Sequence, residues 1–187
     1  DKDSLGEVKV PSNAYYGPFT VRASNQYKVT GQKPHLNMIK AFAMIKRSAA
    51  LANRDLNILP AEKANAIVKA CDEILSGNLL DQFIIDTVNS GAGTAFNMNI
   101  NEVIANRALE ISGRSIGDYA FINPNDDVNM SQSSNDTFPT AMHIAAYKIF
   151  IETTIPGIKK LRDTLAKKSK QYMKVVKIGR THFMDAT

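Results

Sequence analysis

The chain has 187 residues, of which 44% are apolar and 22% are charged, and this composition excludes disordered and fibrous proteins. No run approaches the roughly 18 consecutive apolar residues of a membrane-spanning helix, so we expect no membrane partner. Cys71 is the single cysteine, which excludes an intrachain disulfide and favours a cytoplasmic protein. The formal net charge of +5 makes nucleic-acid binding a hypothesis to test against the distribution of charge.

The positive charge is concentrated in one segment. Residues 159–177 contain eight basic residues and one acidic residue, whereas the rest of the chain has 15 basic and 17 acidic residues. A basic helical module that binds nucleic acid is therefore one alternative for the function. The segment has one aromatic residue, Tyr172, and no stacking platform, so we favour a solvated helix face and expect no nucleic-acid partner.

The first half of the chain alternates between turn-rich segments and helical patterns. We predict a short strand or extended arm at residues 8–10, followed by a loop through residues 13–19. Apolar residues three and four apart predict a first helix over about residues 34–52. A second helix is predicted from about residue 60, where a proline suits the first turn, to Gly77, which ends it.

Three more helices are predicted in the second half. The third covers about residues 97–112. The fourth, about residues 139–151, is apolar on nearly all sides, so a bundle or a subunit interface must cover it. The fifth, about residues 156–172, has one apolar face and carries lysines on the rest, and a further strand is predicted at residues 175–178. The chain is therefore predicted to be mainly α.

Polar side chains are unusually dense between Asn89 and Asn135, where nine asparagines occur with many serines, threonines and glycines. Such neutral groups both donate and accept hydrogen bonds, which suits them to orienting a small polar ligand or to tying loops down. For most of these asparagines we favour roles in turns and helix caps.

Two clusters in this region are suited to binding an anion at the start of a helix. Residues 90–94 (Ser-Gly-Ala-Gly-Thr) combine two glycines with a threonine hydroxyl, although they fit neither the Walker loop nor the dinucleotide fingerprint. Ser133, Ser134 and Asn135 place two hydroxyls and an amide before the fourth helix. The alternative is that Asn135 or Asp136 serves only as the cap of that helix.

A third cluster, residues 179–185, follows the fifth helix and contains His182 among polar, turn-forming neighbours. The other two histidines, His35 and His143, are expected to be structural. No spacing of His, Cys, Asp and Glu suggests a metal site, and no Gly-x-Ser-x-Gly nucleophile motif occurs. Three separated clusters that favour anions indicate a ligand with more than one carboxylate or phosphate.

The clusters stand in the order and spacing of a known family, and together with two early motifs they resemble the fumarase/aspartase superfamily along essentially the whole chain. The motifs are Leu-Gly-Glu at residues 5–7, Tyr-Tyr-Gly at 15–17, Gly-Ala-Gly-Thr at 91–94, Asn-Pro-Asn-Asp at 123–126, Ser-Gln-Ser-Ser-Asn-Asp at 131–136 and Gly-Arg-Thr-His at 179–182. The resemblance implies an N-terminal helical domain at residues 1–135 and the first helices of a long central bundle at residues 136–187. It also implies a homotetramer, in which each active site is built from three subunits.

Within the superfamily the motifs divide between two enzymes. Residues 91–94 and 123–126 resemble aspartate ammonia-lyases, whereas class II fumarases usually have Gly-Ser-Gly-Thr and His-Pro-Asn-Asp there. Residues 133–135 and 185–187 resemble fumarases, because aspartases more often have Ser-Thr-Asn and Asp-Ala-Val. We favour a carbon–nitrogen lyase that eliminates ammonia from L-aspartate to give fumarate. The alternative is a class II fumarase, a carbon–oxygen lyase that acts on L-malate.

The resemblance also implies roles for individual residues. Thr94, Ser133, Ser134 and Asn135 would hold the carboxylate of a small dicarboxylate substrate and its amino or hydroxyl group. Elimination removes a poorly acidic proton beside a carboxylate, and the resulting aci-carboxylate carries extra negative charge. Fixed hydrogen-bond donors aimed at that charge lower the barrier.

Further residues are implied to act from other parts of the assembly. Thr181 and His182 would come from another subunit, with His182 as an orienting or proton-handling residue and not the base. Asn123, Asn125 and Asp126 would form the loop of a second site. No cofactor and no metal are expected.

The catalytic base of the superfamily is a serine on a Gly-Ser-Ser loop, followed by a lysine and an asparagine that clamp the substrate. No counterpart of that loop occurs in the 187 residues. We therefore expect the chain to be the N-terminal fragment of a longer subunit, inactive on its own. A non-catalytic relative that retains the scaffold is a third alternative, and a downstream loop without the serine would favour it.

Overall fold

Helices make up most of the computed structural model, which describes residues 2–3, 5–181 and 183–184, without the side chains of residues 2 and 3. These residues contain six α-helices and one two-stranded antiparallel sheet, which confirms the mainly α prediction. The strands are β1 (Lys2–Asp3) and β2 (Gly6–Glu7), and the helices are α1 (Pro18–Gln26), α2 (Leu36–Asp55), α3 (Ala61–Ser76), α4 (Thr94–Ile111), α5 (Ser134–Ile149) and α6 (Ile155–Tyr172). Shorter segments are a 3-10 turn at Leu80–Gln82 and π-helical segments at Pro124–Val128 and Phe150–Thr154.

The chain divides into two compact units, Asp1–Ala146 and Tyr147–Thr187. Helix α5 begins in the first unit and ends in the second. The predicted domain boundary between residues 135 and 136 stays a prediction.

Three local predictions differ from the structure. Neither residues 8–10 nor residues 175–178 form a strand in the part that the structure describes. The strand predicted at residues 175–178 is therefore wrong, and so is the strand alternative at residues 8–10, where an extended arm stays a prediction. Helix α5 begins at Ser134, five residues before its predicted start, and contains Pro139. Because proline has no N–H, the Asn135 carbonyl lacks the usual helical donor four residues later.

Helix α1 was not predicted, and its first two residues fall in the predicted loop at residues 13–19. Its first turn is stabilised by a distant side chain. The buried Glu102 carboxylate accepts hydrogen bonds from the amides of Gly17 (2.8 Å), Phe19 (3.0 Å) and Thr20 (3.0 Å). These amides have no partner within the helix, and Pro18 suits its first position. Burial raises the pKa of Glu102, although the three amides and Thr20 favour its ionised form.

Helix α4 is the centre of the first unit and packs against α1, α2, α3 and the π-helical segment Pro124–Val128. Thirteen of its 18 residues are buried. Phe96 meets Phe42 of α2 edge to face, with the ring centroids 5.2 Å apart. Each such buried side chain contributes roughly 1.5–3 kcal/mol to stability. Because α4 is held by neighbours on several sides, its first residue, Thr94, has a fixed position.

Asp86 ties the segment before α2 to the loop that leads into residues 90–94. Its carboxylate accepts hydrogen bonds from the amides of Thr30 (2.8 Å), Gly31 (2.8 Å) and Val88 (2.9 Å). The bonds from the Val88 amide and from Thr30 hold the pKa of this carboxyl well below its usual range. The ionised form therefore stabilises the loop.

We expect Asp86→Asn to lower the urea midpoint of unfolding at pH 7, because an amide NH2 group would face backbone donors. A depressed pKa means that the carboxylate's contribution is present above the unfolded-state pKa of about 3.9 and is lost as the pH falls through the folded-state pKa. Urea titrations at pH 7 and pH 3 should show a gap between wild type and variant that narrows in acid. The exposed Asp55→Asn change is the control, and an equal gap at both pH values would contradict this role.

The second unit exposes apolar side chains of α6. Ile158, Leu161 and Leu165 are each 59% exposed, and Tyr172 is 52% exposed. They lie on the helix that was predicted to have one apolar face, and the lysines of residues 159–177 are exposed as well. A face of this kind is typical of a helix that packs against a partner.

Candidate active site

The first cluster is a tight turn that ends at the start of α4. Gly91 and Gly93 have φ values of +49° and +78°, in the left-handed region that favours glycine. The Gly93 amide donates to the Ser90 carbonyl (3.1 Å), and the Ala95 amide donates to the Ser90 hydroxyl (3.3 Å). Ser90 therefore satisfies two amides at the entry to the helix. Thr94 follows with an exposed side chain.

Gly93 also lies directly against α5. A Cβ atom at this position would fall 1.9 Å from a ring carbon of Phe138, far inside van der Waals contact. The turn before α4 and the first turns of α5 can approach this closely only because residue 93 has no side chain.

The second cluster is a loop that ends at the start of α5. Ser131 has φ +60°, a left-handed conformation that is uncommon for a residue with a side chain. The Gln132 amide donates to the Asn129 carbonyl (3.0 Å), and Asn53 Nδ2 of α2 donates to the Met130 carbonyl (3.1 Å). The loop is therefore a turn that is hydrogen-bonded to the helix beneath it.

Ser133 caps α5. Its Oγ accepts from the Asn135 amide (3.2 Å), and its carbonyl accepts from the Thr137 amide (2.9 Å). The residue that caps α5 is thus Ser133. Asn135 and Asp136, which the sequence offered as alternative caps, do not have this role. The side chains of Asn135 and Asp136 are exposed in the first turn.

The two clusters meet in space. Thr94 Oγ1 and Ser134 Oγ are 3.3 Å apart, although the residues are 40 positions apart in the chain. Each hydroxyl lies in the first turn of its helix, so the partially positive ends of α4 and α5 converge here. Thr94, Ser133 and Asn135 are exposed and Ser134 is half-buried, which leaves the polar groups open to a small ligand. This arrangement suits a carboxylate.

The third cluster is described at residues 179–181 and 183–184. Thr181 is exposed in the second unit, and Arg180 Nε donates to the Met184 carbonyl (3.1 Å). His182 and residues 185–187 lie outside the described residues. The roles assigned to Thr181 and His182 therefore stay predictions.

The predicted second-site loop coincides with the π-helical segment Pro124–Val128. Asn123 Oδ1 accepts from the amides of Asn125 (2.8 Å) and Asp126 (3.1 Å), so this side chain caps the segment. The buried Asp127 carboxylate accepts from Lys63 Nζ (2.9 Å) and from the Asn123 amide (2.7 Å), which anchors the loop.

A cleft of about 680 Å³ lies beside this loop. Its lining includes Asn123, Asn125, Ser90 and Arg22. Asn125 and Asp126 are exposed, and their side chains are hydrogen-bonded to each other (3.0 Å). The volume is in the range of small-molecule sites, roughly 300–1,000 Å³.

Comparison with known proteins decides the family. A family model described as lyase matches residues 6–187. A class II fumarate hydratase of Pasteurella multocida is 52% identical over the whole of this chain, and an aspartate ammonia-lyase of Bacillus sp is 49% identical over the whole of it. The chain belongs to the fumarase/aspartase superfamily of lyases. It spans 40% of the length of each of these two relatives.

A solved structure of the superfamily shares the fold. The crystal structure of a fumarate lyase:delta crystallin protein from Brucella melitensis matches 100% of this chain and 42% of its own, with a TM-score of 0.92 and 46% identity. Superfamily membership confirms the prediction made from the motifs and establishes a lyase scaffold. Relatives with the two enzyme names stand at similar identity, 52% and 49%, so identity favours neither leaving group decisively.

The superfamily motifs are rich in exposed hydroxyls and do not indicate the buried amides beneath them. Four of the nine asparagines lie inside α4 and are buried, not in turns or caps: Asn97, Asn99, Asn101 and Asn106. Asn97 Nδ2 donates to Asn129 Oδ1 (3.0 Å), and Asn99 Nδ2 donates to the Gln82 carbonyl (3.1 Å). The sequence signal for these buried amides was the presence of asparagines on a helix whose other residues are apolar on nearly all sides.

The remaining candidates have structural or exposed positions. His35 Nδ1 accepts from the Asn37 amide (3.1 Å) at the start of α2, which agrees with a structural role, and His143 is exposed on α5. Within the described ranges, no group of three or more His, Cys, Asp and Glu side chains could hold a metal ion. None of the helices in the described part is long and apolar enough to cross a membrane.

Proposed function

We propose that the chain is the N-terminal part of a lyase subunit that eliminates a small molecule from a four-carbon dicarboxylate to give fumarate. The observation that carries this proposal is the 3.3 Å approach of the Thr94 and Ser134 hydroxyls at the converging N-terminal ends of two helices. The site lies in a member of a lyase superfamily whose relatives include a fumarate hydratase and an aspartate ammonia-lyase. No cofactor is needed for this elimination.

The chemistry follows from where negative charge develops. Removal of the proton beside a carboxylate gives an aci-carboxylate, whose second negative charge needs fixed donors. The hydroxyls of Thr94, Ser133 and Ser134 and the Asn135 amide would supply these donors, and the positive ends of α4 and α5 add to the attraction. Thr181 and His182 of another subunit would complete the site, with His182 orienting substrate or handling a proton. The base would be a serine outside this chain.

For the leaving group, we propose ammonia, with L-aspartate as the substrate. This rests on the turn before α4, where Ala92 stands in place of the serine usual in fumarases. It rests also on the loop Asn123 to Asp126, which begins with asparagine where fumarases usually have histidine. Asn123, Asn125 and Asp126 would serve a second dicarboxylate site beside the cleft.

L-Malate, with water as the leaving group, is the second candidate. Ser134 favours it, because this residue contacts Thr94 in the site and aspartases more often have threonine at this place. The 52% identity to a class II fumarate hydratase also supports it.

Paired assays of the full-length subunit test these candidates. Ammonia release from L-aspartate and fumarate formation from L-malate should be measured on one preparation, and we expect the larger kcat/KM with L-aspartate. A larger value with L-malate would instead assign the fumarase activity. Absence of both activities in a folded, tetrameric preparation would contradict the proposed function and favour a non-catalytic relative.

We propose a homotetramer as the working assembly, as the resemblance to the superfamily implies. Tyr147 is 70% exposed, Phe150 is 54% exposed, and the apolar residues of α6 are exposed to a similar degree. Apolar surface of this kind is typical of protein–protein contacts. We propose that further copies of the subunit cover it, and that the enzyme works in the cytoplasm.

A further inference from the structure

We infer that Lys46 and Asn129 are positioning residues, which hold the loop before α5 so that Ser133, Ser134 and Asn135 face the substrate. This inference rests on the proposed function and extends it to residues that do not touch the substrate. Lys46 lies on α2 and is fully buried. Its Nζ donates to Asn129 Oδ1 at 2.7 Å.

Asn129 is the point where two helices reach the loop. Its Oδ1 also accepts from Asn97 Nδ2 (3.0 Å) and Asn101 Nδ2 (3.3 Å) of α4. Its own Nδ2 donates to the Gln132 carbonyl (3.0 Å), the residue immediately before Ser133. The Asn129 side chain therefore connects α2 and α4 to the backbone that presents the serines.

The loop needs such support because its conformation is unfavourable by itself. Ser131 has φ +60°, and a residue with a side chain in this region is strained unless its surroundings fix it. Both Ser131 and Ser133 are exposed, so packing holds them little. We attribute the retained conformation to two hydrogen bonds to the loop backbone. Asn129 Nδ2 donates to the Gln132 carbonyl, and Asn53 Nδ2 donates to the Met130 carbonyl (3.1 Å).

A buried lysine whose partner is a neutral amide destabilises a core, because no opposite charge compensates for the loss of hydration. Burial lowers the pKa of Lys46 to about 7, against an opposing effect of Cys71, so the fold tolerates the charged form poorly. A methionine of similar length would fill the same space, and Asn129 Oδ1 would keep its two donors from α4. Stability alone therefore does not explain why a lysine occupies this position. A role in positioning the loop before α5 does explain it.

The Lys46→Met variant of the full-length enzyme tests the inference. We expect kcat to fall roughly 10- to 100-fold, the loss typical of a misplacement of about 1 Å, while the unfolding midpoint stays equal or rises. Hydrogen exchange of the amides at residues 130–135 should become faster, with exchange in α2 and α4 unchanged. Lys40→Met is the matched control, since Lys40 is a partly exposed lysine of the same helix, and it should leave kcat and exchange unaltered.

The Asn129→Asp variant separates the two halves of the connection. A carboxylate keeps an acceptor for Lys46 but loses the donor to the Gln132 carbonyl, so we expect kcat to fall again. Full activity in Lys46→Met or Asn129→Asp would overturn the inference, and so would a loss of folding in parallel with activity in both. Wild-type activity decides the proposed function, and the ratio of variant to wild type decides the positioning role, so the two can fail separately.

Discussion

The Gly93→Ala variant of the full-length subunit is expected to lose nearly all lyase activity and to unfold at lower urea concentration. A residue with a side chain at φ +78° costs about 1–2 kcal/mol. The new Cβ would stand 1.9 Å from the Phe138 ring, and overpacking of this kind costs roughly 1–3 kcal/mol. The combined loss of about 2–5 kcal/mol is a large part of the 5–15 kcal/mol by which a typical domain is stable. Relief by movement of α5 would carry Ser134 away from Thr94.

Gly91→Ala is the matched control for this prediction. Gly91 lies in the same turn at φ +49°, but a Cβ there meets nothing within 4 Å, so the variant should show the backbone cost without the clash. The double variant Gly93→Ala/Phe138→Ala should recover part of the activity, because it removes the ring. Steady-state kinetics and urea unfolding followed by circular dichroism measure both effects. Equal losses in the two single glycine variants would contradict the close approach to Phe138.

The sequence predicted helices well where their signals are local. The predicted ends at Gly77 and near Gly113 agree with α3 and α4, because a left-handed glycine stops a helix without distant partners. Helix α1 was missed because Glu102, more than 80 residues away, completes its first turn. The strand predicted at residues 175–178 does not form because a strand needs a partner to pair with, and these apolar residues have no pairing strand in the described part.

The sequence predicted the residues of the candidate site but not how close they lie to one another. Thr94 and Ser134 each belong to a cluster that the sequence marks as suited to an anion, but their 3.3 Å approach depends on the packing of α5 against Gly93. Lys46 stands four residues after Phe42, on the apolar face of its helix. A charged residue at such a position indicates that the side chain is buried for a specific role. Its partner Asn129 is 83 residues away, and no local pattern indicates such a contact.

Ser134→Ala in the full-length enzyme is expected to lower kcat/KM by roughly 100- to 1,000-fold without loss of stability, as is typical when one donor to a developing oxyanion is removed. Ser134 Oγ is half-buried at the N-terminal end of α5 and contacts Thr94 Oγ1. Its removal leaves the Ser133 cap of the helix intact, so the fold should not change. Steady-state kinetics with both substrates and a thermal unfolding curve measure the two quantities.

Conservative changes separate the hydroxyl from the shape of the side chain. Ser134→Thr and Thr94→Ser keep a donor at each position and should retain most of the activity, whereas Thr94→Val should resemble Ser134→Ala. Because the two hydroxyls contact each other, the double variant Thr94→Val/Ser134→Ala should lose less than the product of the single losses. Strictly multiplicative losses would mean that the hydroxyls act at separate places. A Ser134→Ala enzyme within threefold of wild type would mean that the hydroxyl contact at 3.3 Å is structural and does not bind the substrate.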